Sequence, residues 1–249
     1  MPGTAAPGDP AMSAAATSEM PTTRDKVDWQ TLTDADAVAT RATELILQAA
    51  ANAIQERGVF RLVLAGGRTP GNVYRQLAAS QSDWNNWQLY FGDERCLPAD
   101  HVERNSQMAA DAWLARGQVP ADHIHAIPAE LGAAIAAHQY AETVRQARPF
   151  DMVILGLGED GHTASLFPGH AFPPGEPVHA VHYAPKPPPE RVSLSADSLS
   201  DSHHVLVLVT GSGKRDAVSQ WQQGADLPIA RISARQHLTV LLDAAAADR

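Results

Sequence analysis

Hydrophobic positions follow two different periods along this chain. Short, mainly apolar runs alternate with segments in which apolar residues recur every three or four positions. The runs are typical of strands buried in a parallel sheet, and the longer period is typical of helices with one buried face. We predict strands at residues 59–64, 88–91, 152–155, 192–194, 204–209 and 238–242. We predict helices at residues 34–57, 70–79, 106–115, 133–147 and 217–223. This alternation predicts an α/β fold, with a mostly parallel sheet covered by helices on both faces.

Chain length and composition favour a single domain. The 249 residues are 44% hydrophobic, which is enough for one large core. Residues 1–26 are rich in Ala, Pro, Ser, Thr and Gly, so we expect a disordered tail there and a folded domain over residues 27–249. The tail lacks an apolar segment of the kind a secretory signal needs. With only one cysteine, Cys96, no internal disulfide can form, and we expect a cytoplasmic protein.

The charge of the chain limits its partners. The formal net charge is −9, so the surface is a poor match for nucleic acid or for an anionic membrane, and we expect neither as a partner. No apolar run approaches the roughly 18 residues of a membrane-spanning helix. An anionic substrate would therefore need a local basic pocket.

A glycine turn, Gly66 and Gly67, lies between a predicted strand and a predicted helix. Glycines let the backbone approach a ligand closely, and the free N–H groups at a helix start favour an anion. Thr69 suits the N-cap and Pro70 the first helical position, while Arg68 would add a bidentate phosphate donor. The alternative is an ordinary strand-to-helix turn, so this motif alone leaves phosphate binding open.

Three charged residues, Asp93, Glu94 and Arg95, directly follow another predicted strand. The carboxyl ends of parallel strands are where open α/β sheets bind ligands, which places these side chains well for a pocket. Taken alone, however, the segment favours a surface loop with a local ion pair.

A glycine-rich loop at residues 156–163 follows the most apolar predicted strand and matches G-x-G-x-x-G. Dinucleotide binding would require a long helix next, but the chain soon reaches Pro168, so we reject that interpretation. The loop instead presents Asp160 and His162. An imidazole takes up a proton near neutrality, which makes His162 a candidate general base that a nearby carboxylate could orient. A buried structural histidine is the alternative.

Two later segments carry cations. Residues 186–191 form a proline-rich stretch with Lys186 and Arg191 at its ends, and residues 210–214 follow a buried strand and bring Lys214 near a helix start. A solvated surface lysine is the simpler interpretation of Lys214. The segment is not a phosphate-binding Walker A loop, because its glycine spacing is too short.

Other catalytic patterns find no support. The histidine pairs at 123/125, 179/182 and 203/204 have no convincing partner set, and zinc sites usually need three or four protein ligands. Gly-x-Ser-x-Gly is absent, which argues against an α/β-hydrolase serine nucleophile. We therefore predict no metal and no other cofactor.

Together these motifs resemble the 6-phosphogluconolactonase family, which is related to the glucosamine-6-phosphate deaminases and shares their Rossmann-like fold. The matching segments are residues 65–70, 92–95, Asn105 with Met108, 156–169, 188–191 and 209–214. They occur in family order over about 150 residues, and the block at 160–169 is highly specific. Two positions depart from the family pattern. Arg68 stands where serine is frequent, and residues 103–105 replace an Asp-Ser-Asn run, which puts any role of that serine in doubt.

The resemblance implies hydrolysis of 6-phospho-D-glucono-1,5-lactone, a step of the pentose phosphate pathway. It implies His162 as the general base for water, with Asp160 orienting the imidazole and Arg95 steadying the oxyanion. The implied substrate and phosphate ligands are Gly66, Gly67, Arg68, Thr69, Asp93, Arg191 and Lys214. The expected partner is this small sugar-phosphate lactone, and the expected assembly is a monomer or a weak homo-oligomer.

Two other functions remain open at this stage. A related sugar-phosphate isomerase and deaminase would usually carry tyrosine after the Asp-Glu pair and glutamate five residues after the histidine, where this chain has Arg95 and Phe167. A non-catalytic sugar-phosphate sensor on the same fold would have no need for His162 as a general base or for Asp160 to orient it.

Overall fold

The structure, a computed structural model, describes Gly3 and residues 27–247. Apart from Gly3, the predicted tail at residues 1–26 lies outside the described residues. The strands are β1 (Val27–Leu32), β2 (Phe60–Leu64), β3 (Trp87–Phe91), β4 (Asp93–Arg95), β5 (Ile124–His125), β6 (Phe150–Gly156), β7 (Val178–Val181), β8 (Arg191–Leu194), β9 (Ser202–Val209) and β10 (His237–Asp243). The α-helices are α1 (Ala35–Arg57), α2 (Arg68–Ala78), α3 (Asn105–Ala112), α4 (Ala133–Ala147), α5 (Ala196–Ser200), α6 (Arg215–Gln222) and α7 (Ala244–Ala247).

One parallel sheet organises the fold. Seven strands pair in the order β1-β10-β9-β6-β2-β3-β5, and every pairing is parallel. Successive residues of β6 are buried although they point to opposite faces, so both faces of the sheet are covered. The predicted α/β architecture, a single domain with a mostly parallel sheet, is confirmed.

A second, smaller sheet was not predicted. Strands β4, β8 and β7 form an antiparallel three-stranded sheet in that order. The predicted strand at 192–194 is present, but it belongs to this sheet. Through the β4–β8 pairing, Asp93 lies opposite Ser193 and Arg95 lies opposite Arg191. The small sheet thus brings two of the sequence motifs side by side.

The start of α2 corrects one prediction. The helix begins at Arg68 after Gly67, which has a φ of 108°, so Thr69 is not the N-cap and Pro70 is not the first helical residue. Pro70 is tolerated as the third helical residue because the first N–H groups of a helix have no partner within it. Only a residue without a Cβ adopts the Gly67 conformation easily, and the helix begins directly after it, two residues earlier than the threonine indicates.

Strand order fixes where the ligand end of the fold lies. From β2 the chain proceeds to β3 and β5 on one side, while β6 and the later strands build the other side. The switch between the two directions falls between β2 and β6, and open α/β sheets bind ligands in the crevice at such a point. Gly66–Gly67 follow β2, and the loop with His162 follows β6. Among the described residues, no helix is both long and apolar enough to cross a membrane.

Candidate active site

A cavity of about 400 Å³ opens at this switch point. Its volume lies within the range of small-molecule sites. The predicted site residues that line it are Gly66, Gly67, Asp93, Arg95, His162, Arg191 and Lys214. Asp160 contacts the imidazole behind the wall. Arg68 and Thr69 are not among the lining residues: Arg68 is exposed, and the Thr69 hydroxyl bonds to that of Thr210 at 2.7 Å.

His162 and Asp160 form a hydrogen-bonded pair at the cavity wall. The Asp160 carboxylate accepts a bond from the imidazole Nδ1 and another, at 3.3 Å, from the His162 backbone N–H. This contact assigns the proton to Nδ1 and leaves Nε2 as the imidazole acceptor. Gly158 allows the arrangement, because a Cβ there would lie 1.9 Å from Nδ1.

The surroundings tune both groups. Burial lowers the pKa of His162 below its ordinary value of 6.5, against the opposing effect of Asp160. Burial raises the pKa of Asp160, but the bonds and charge of His162 outweigh it, so that pKa is lowered overall. At neutral pH the pair is therefore a neutral imidazole beside a carboxylate, the state that a general base requires.

Asp93 lies at the centre of a buried polar cluster. Its Oδ2 accepts a bond from the Ser165 hydroxyl at 2.6 Å, and its Oδ1 accepts one from Asn105 Nδ2 at 2.9 Å. Burial raises the pKa of Asp93 despite these bonds and the nearby Arg95. Asn105 also fills the space beside Gly66, where a Cβ would come within 1.9 Å of its Oδ1. The cluster therefore links the glycine turn to the charged segment.

Four cations line the cavity: Arg95, Lys186, Arg191 and Lys214. Asp93 is the one carboxylate in the same lining, so the wall is strongly positive within an acidic protein. The Arg191 guanidinium donates three hydrogen bonds to the carbonyls of residues 186–188, which hold the proline-rich stretch beside the cavity. Such a wall suits an anionic ligand.

Arg95 has donors left for a ligand. One Nη donates to the Glu103 carbonyl, and the Nε is enclosed by the protein without a hydrogen-bond partner among the described residues, so contact with a ligand falls to the remaining Nη hydrogens. The backbone N–H of Arg95 is held by the carboxylate of Glu94 at 2.8 Å. Glu94 is fully buried and also accepts the first two N–H groups of α3, from Asn105 and Ser106. The sequence alone favoured a surface loop with a local ion pair, but Glu94 is buried and holds the backbone of Arg95, a residue of the cavity wall.

Lys186 and Asn105 are among the lining residues that were not predicted as site residues. Both lie in segments that the sequence motifs already included. A lysine among prolines resembles a loop residue, and its place in the cavity depends on how Arg191 holds that loop. Asn105 is 12 residues from Asp93, and only the packing of α3 against β4 brings them together. Among the described residues, no three His, Cys, Asp or Glu side chains are grouped to hold a metal ion.

Fold and cavity together define an α/β protein that places a carboxylate-bound imidazole beside a cationic pocket at the switch point of a parallel sheet. The family model for glucosamine-6-phosphate isomerases/6-phosphogluconolactonase matches residues 33–241. The chain belongs to this family.

Individual relatives agree with this assignment. A 6-phosphogluconolactonase from Nostoc is 34% identical over 230 residues, covering 87% of this chain and 95% of its own length. A rice protein, "Probable 6-phosphogluconolactonase 3, chloroplastic", is 35% identical over 210 residues, and the chain spans 64% of that relative's length. The crystal structure of a 6-phosphogluconolactonase from Thermotoga maritima superposes with a TM-score of 0.82 at 27% identity, covering 88% of this chain and all of that one.

Proposed function

We propose that the protein hydrolyses 6-phospho-D-glucono-1,5-lactone to 6-phospho-D-gluconate, a step of the pentose phosphate pathway. The observation that carries the proposal is the His162–Asp160 pair in the wall of a cavity lined by four cations. A base poised near neutrality and a receptor for a phosphate are the two parts that this reaction needs. Relatives named for the activity add support.

The proposed chemistry uses water as the nucleophile. His162 Nε2 takes a proton from water as the water oxygen attacks the lactone carbonyl, and the Asp160 carboxylate stabilises the imidazolium that forms. Arg95, which lines the cavity, is our candidate donor for the oxyanion through its guanidinium. Collapse of the intermediate breaks the bond between the carbonyl carbon and the ring oxygen, which takes the proton from the imidazolium.

The rest of the cavity would hold the substrate. Gly66 and Gly67 at the start of α2, with Lys186, Arg191 and Lys214, supply the basic surface for the phosphate. Asp93 remains in the proposal as a ligand for a sugar hydroxyl, since it lines the cavity. Arg68 and Thr69 lie outside the lining, so we assign the phosphate to these three cations and the glycine turn rather than to Arg68 and Thr69.

The isomerase and deaminase alternative lacks a proton-transfer group at this site. Phe167 occupies the position five residues after His162, is 2% exposed, and has its ring centroid 4.8 Å from that of the imidazole. A phenyl ring carries no proton for aldose–ketose chemistry. Release of ammonia from glucosamine 6-phosphate would favour that alternative. Tight binding of 6-phosphogluconate without turnover would favour a sensor.

The test follows the disappearance of lactone generated in situ from glucose 6-phosphate by a dehydrogenase. We expect wild type to hydrolyse the lactone faster than the spontaneous rate. The enzymatic rate of His162→Ala should be about 10²–10⁴-fold lower than that of wild type, as is typical for the loss of a general base. His182→Ala is the matched control, because His182 also bonds to a carboxylate, that of Glu190 at 2.6 Å, but does not line the cavity. Near-wild-type turnover by folded His162→Ala would overturn the assignment.

Location and assembly stay predictions. We propose that the protein works in the cytoplasm as a monomer or weak homo-oligomer. The single cysteine supports the compartment, because it fits a reducing environment. Cell fractionation and light scattering measure the two properties directly.

A further inference from the structure

The turn that carries Lys214 is held from outside the cavity. Asp243, at the carboxyl end of β10, is 6% exposed and lies beyond the residues that the family model matches. Both of its carboxylate oxygens accept a bond from the Gly211 backbone N–H, at 3.0 and 2.9 Å. Oδ1 also accepts the Ala246 N–H at 2.7 Å, at the start of α7.

Gly211 passes this restraint to Lys214. Its N–H is bound by Asp243, and its carbonyl accepts the Lys214 backbone N–H at 3.1 Å. The φ of Gly211 is 93°, a conformation that glycine adopts readily and that residues with a Cβ disfavour. Two hydrogen bonds, one to the N–H and one to the carbonyl of Gly211, therefore connect a buried carboxylate to the backbone of the lysine in the cavity wall.

The same turn is fastened to the opposite side of the anion pocket. The hydroxyl of Thr210 lies 2.7 Å from that of Thr69, in the first turn of α2. Gly67, which precedes this helix, lines the cavity. The backbone around Lys214 is thus held between Asp243 on one side and α2 on the other.

We propose that Asp243 is a positioning residue for phosphate recognition, which sets Lys214 against the glycine turn through Gly211. The proposal rests on the proposed function, because it takes the phosphate of the substrate as the ligand of this end of the cavity. Asp243 itself does not line the cavity. A cation held in place loses less freedom on binding than one on a loose turn, so the anchor raises affinity without touching the ligand.

The alternative role is purely structural, as the N-cap of α7. Replacement by asparagine separates the two. Asparagine caps helices as well as aspartate does, so the bond to Ala246 can persist. The Gly211 N–H, however, faces both oxygens of Asp243. In Asp243→Asn, an NH₂ group replaces one of these oxygens, so that a donor would face the Gly211 N–H, which is itself a donor.

The experiment is a calorimetric titration with 6-phosphogluconate. We expect Asp243→Asn to bind it about 5–30-fold more weakly, part of the loss expected for a charge-assisted bond to phosphate. Asp151→Asn is the matched control. Asp151 is also a 5% exposed carboxylate that accepts a backbone N–H, that of Arg61 at 2.7 Å, but it lies at the amino end of β6. It should leave the affinity within about twofold, since it has no path to the anion pocket.

A double variant tests whether the effect passes through Lys214. If it does, Asp243→Asn adds less than about twofold to the loss caused by Lys214→Ala, because coupled residues are not additive. Additive losses, or an affinity for Asp243→Asn equal to wild type, would overturn the proposal. Should Asp243→Asn fail to fold, Asp243→Ser keeps a cap for α7 and removes the second acceptor of Gly211.

The outcome is distinguishable from a failure of the proposed hydrolysis. Wild type that binds 6-phosphogluconate but leaves the lactone untouched would remove the hydrolysis, while the Asp243 comparison would still be measured. Wild type that does not bind 6-phosphogluconate would overturn the positioning role as well.

Discussion

The bond between His162 and Asp160 makes a prediction about pH. Burial lowers the pKa of His162, and the Asp160 carboxylate opposes this by stabilising the imidazolium. Above that pKa the imidazole is neutral and competent as a base, so activity should fall on the acid side only below the ordinary value of 6.5. Asp160→Asn removes the opposing charge. We therefore expect its acid limb at a lower pH than that of wild type.

The same substitution should slow the reaction at pH values above both acid limbs, where the imidazole is neutral in both proteins. The asparagine cannot stabilise the imidazolium that forms in the transition state, although its amide oxygen can still accept from Nδ1. Partners that orient a functional histidine are worth about 10–100-fold in metal sites, which sets the scale here. The Asp160 side chain is 36% exposed, so water takes over part of its role. We expect a loss in the lower part of that range, about 10–30-fold.

The assay is kcat/KM for the lactone between pH 5 and 7.5, after subtraction of the spontaneous rate. Glu190→Gln is the control, because Glu190 holds His182 in the same way outside the cavity lining. It should change neither the limb nor the rate. An acid limb that stays in place or moves upward in Asp160→Asn would refute the electrostatic reasoning. A full rate in a folded variant would refute the catalytic role of the pair.

Two further substitutions probe the walls of the cavity. Gly158→Ala places a methyl 1.9 Å from His162 Nδ1 and should displace the imidazole. We expect a folded protein with roughly 100-fold lower activity in the lactone assay, because small displacements of reacting groups cost about that much. Gly92→Ala is the control: its Cβ comes no closer than 3.5 Å to its neighbours, so it should keep its activity, and equal activities of the two variants would contradict this account. Glu94→Ala leaves Arg104, 3.3 Å from Glu94 and 3% exposed, with one buried charge partner fewer, so urea unfolding should show a loss of about 3–5 kcal/mol. Glu142→Ala breaks only exposed contacts, with Arg145 and Gln146, and should stay within about 0.5 kcal/mol of wild type, so equal losses in the two variants would show that the Glu94 cluster contributes little.

The strongly apolar strands could be predicted from sequence because burial on both faces leaves a continuous hydrophobic run. β6 and β9 are of this kind, and the predicted runs fall inside them. β1 was missed because it is an edge strand whose residues are mostly half-exposed, so it has no such run. β4 was missed because it reads Asp-Glu-Arg, and its pairing with β8 depends on tertiary contacts that its own residues do not encode.

The candidate site was predictable where chemistry and local sequence coincide. His162 and Asp160 are two residues apart in one glycine-rich loop, and the structure brings them into contact. Arg68 carries the right chemistry beside the glycine turn, yet α2 starts at that residue and its side chain is exposed. A helix start one turn earlier or later changes which side chain enters the cavity, and the sequence does not determine this boundary.

The acidic surface and the cationic cavity fit together in physical terms. Burial lowers the pKa of both Lys214 and Arg191, and in each a neighbouring cation lowers it further while nearby carboxylates oppose the shift. A phosphate would favour the charged forms, because it supplies further negative charge beside these cations. The cations can be kept together only by a rigid frame. Arg191 is held by three carbonyl bonds, and Lys214 sits on a turn tied to Asp243 and α2. A frame of this rigidity lets the site bind a doubly charged ligand without reorganising.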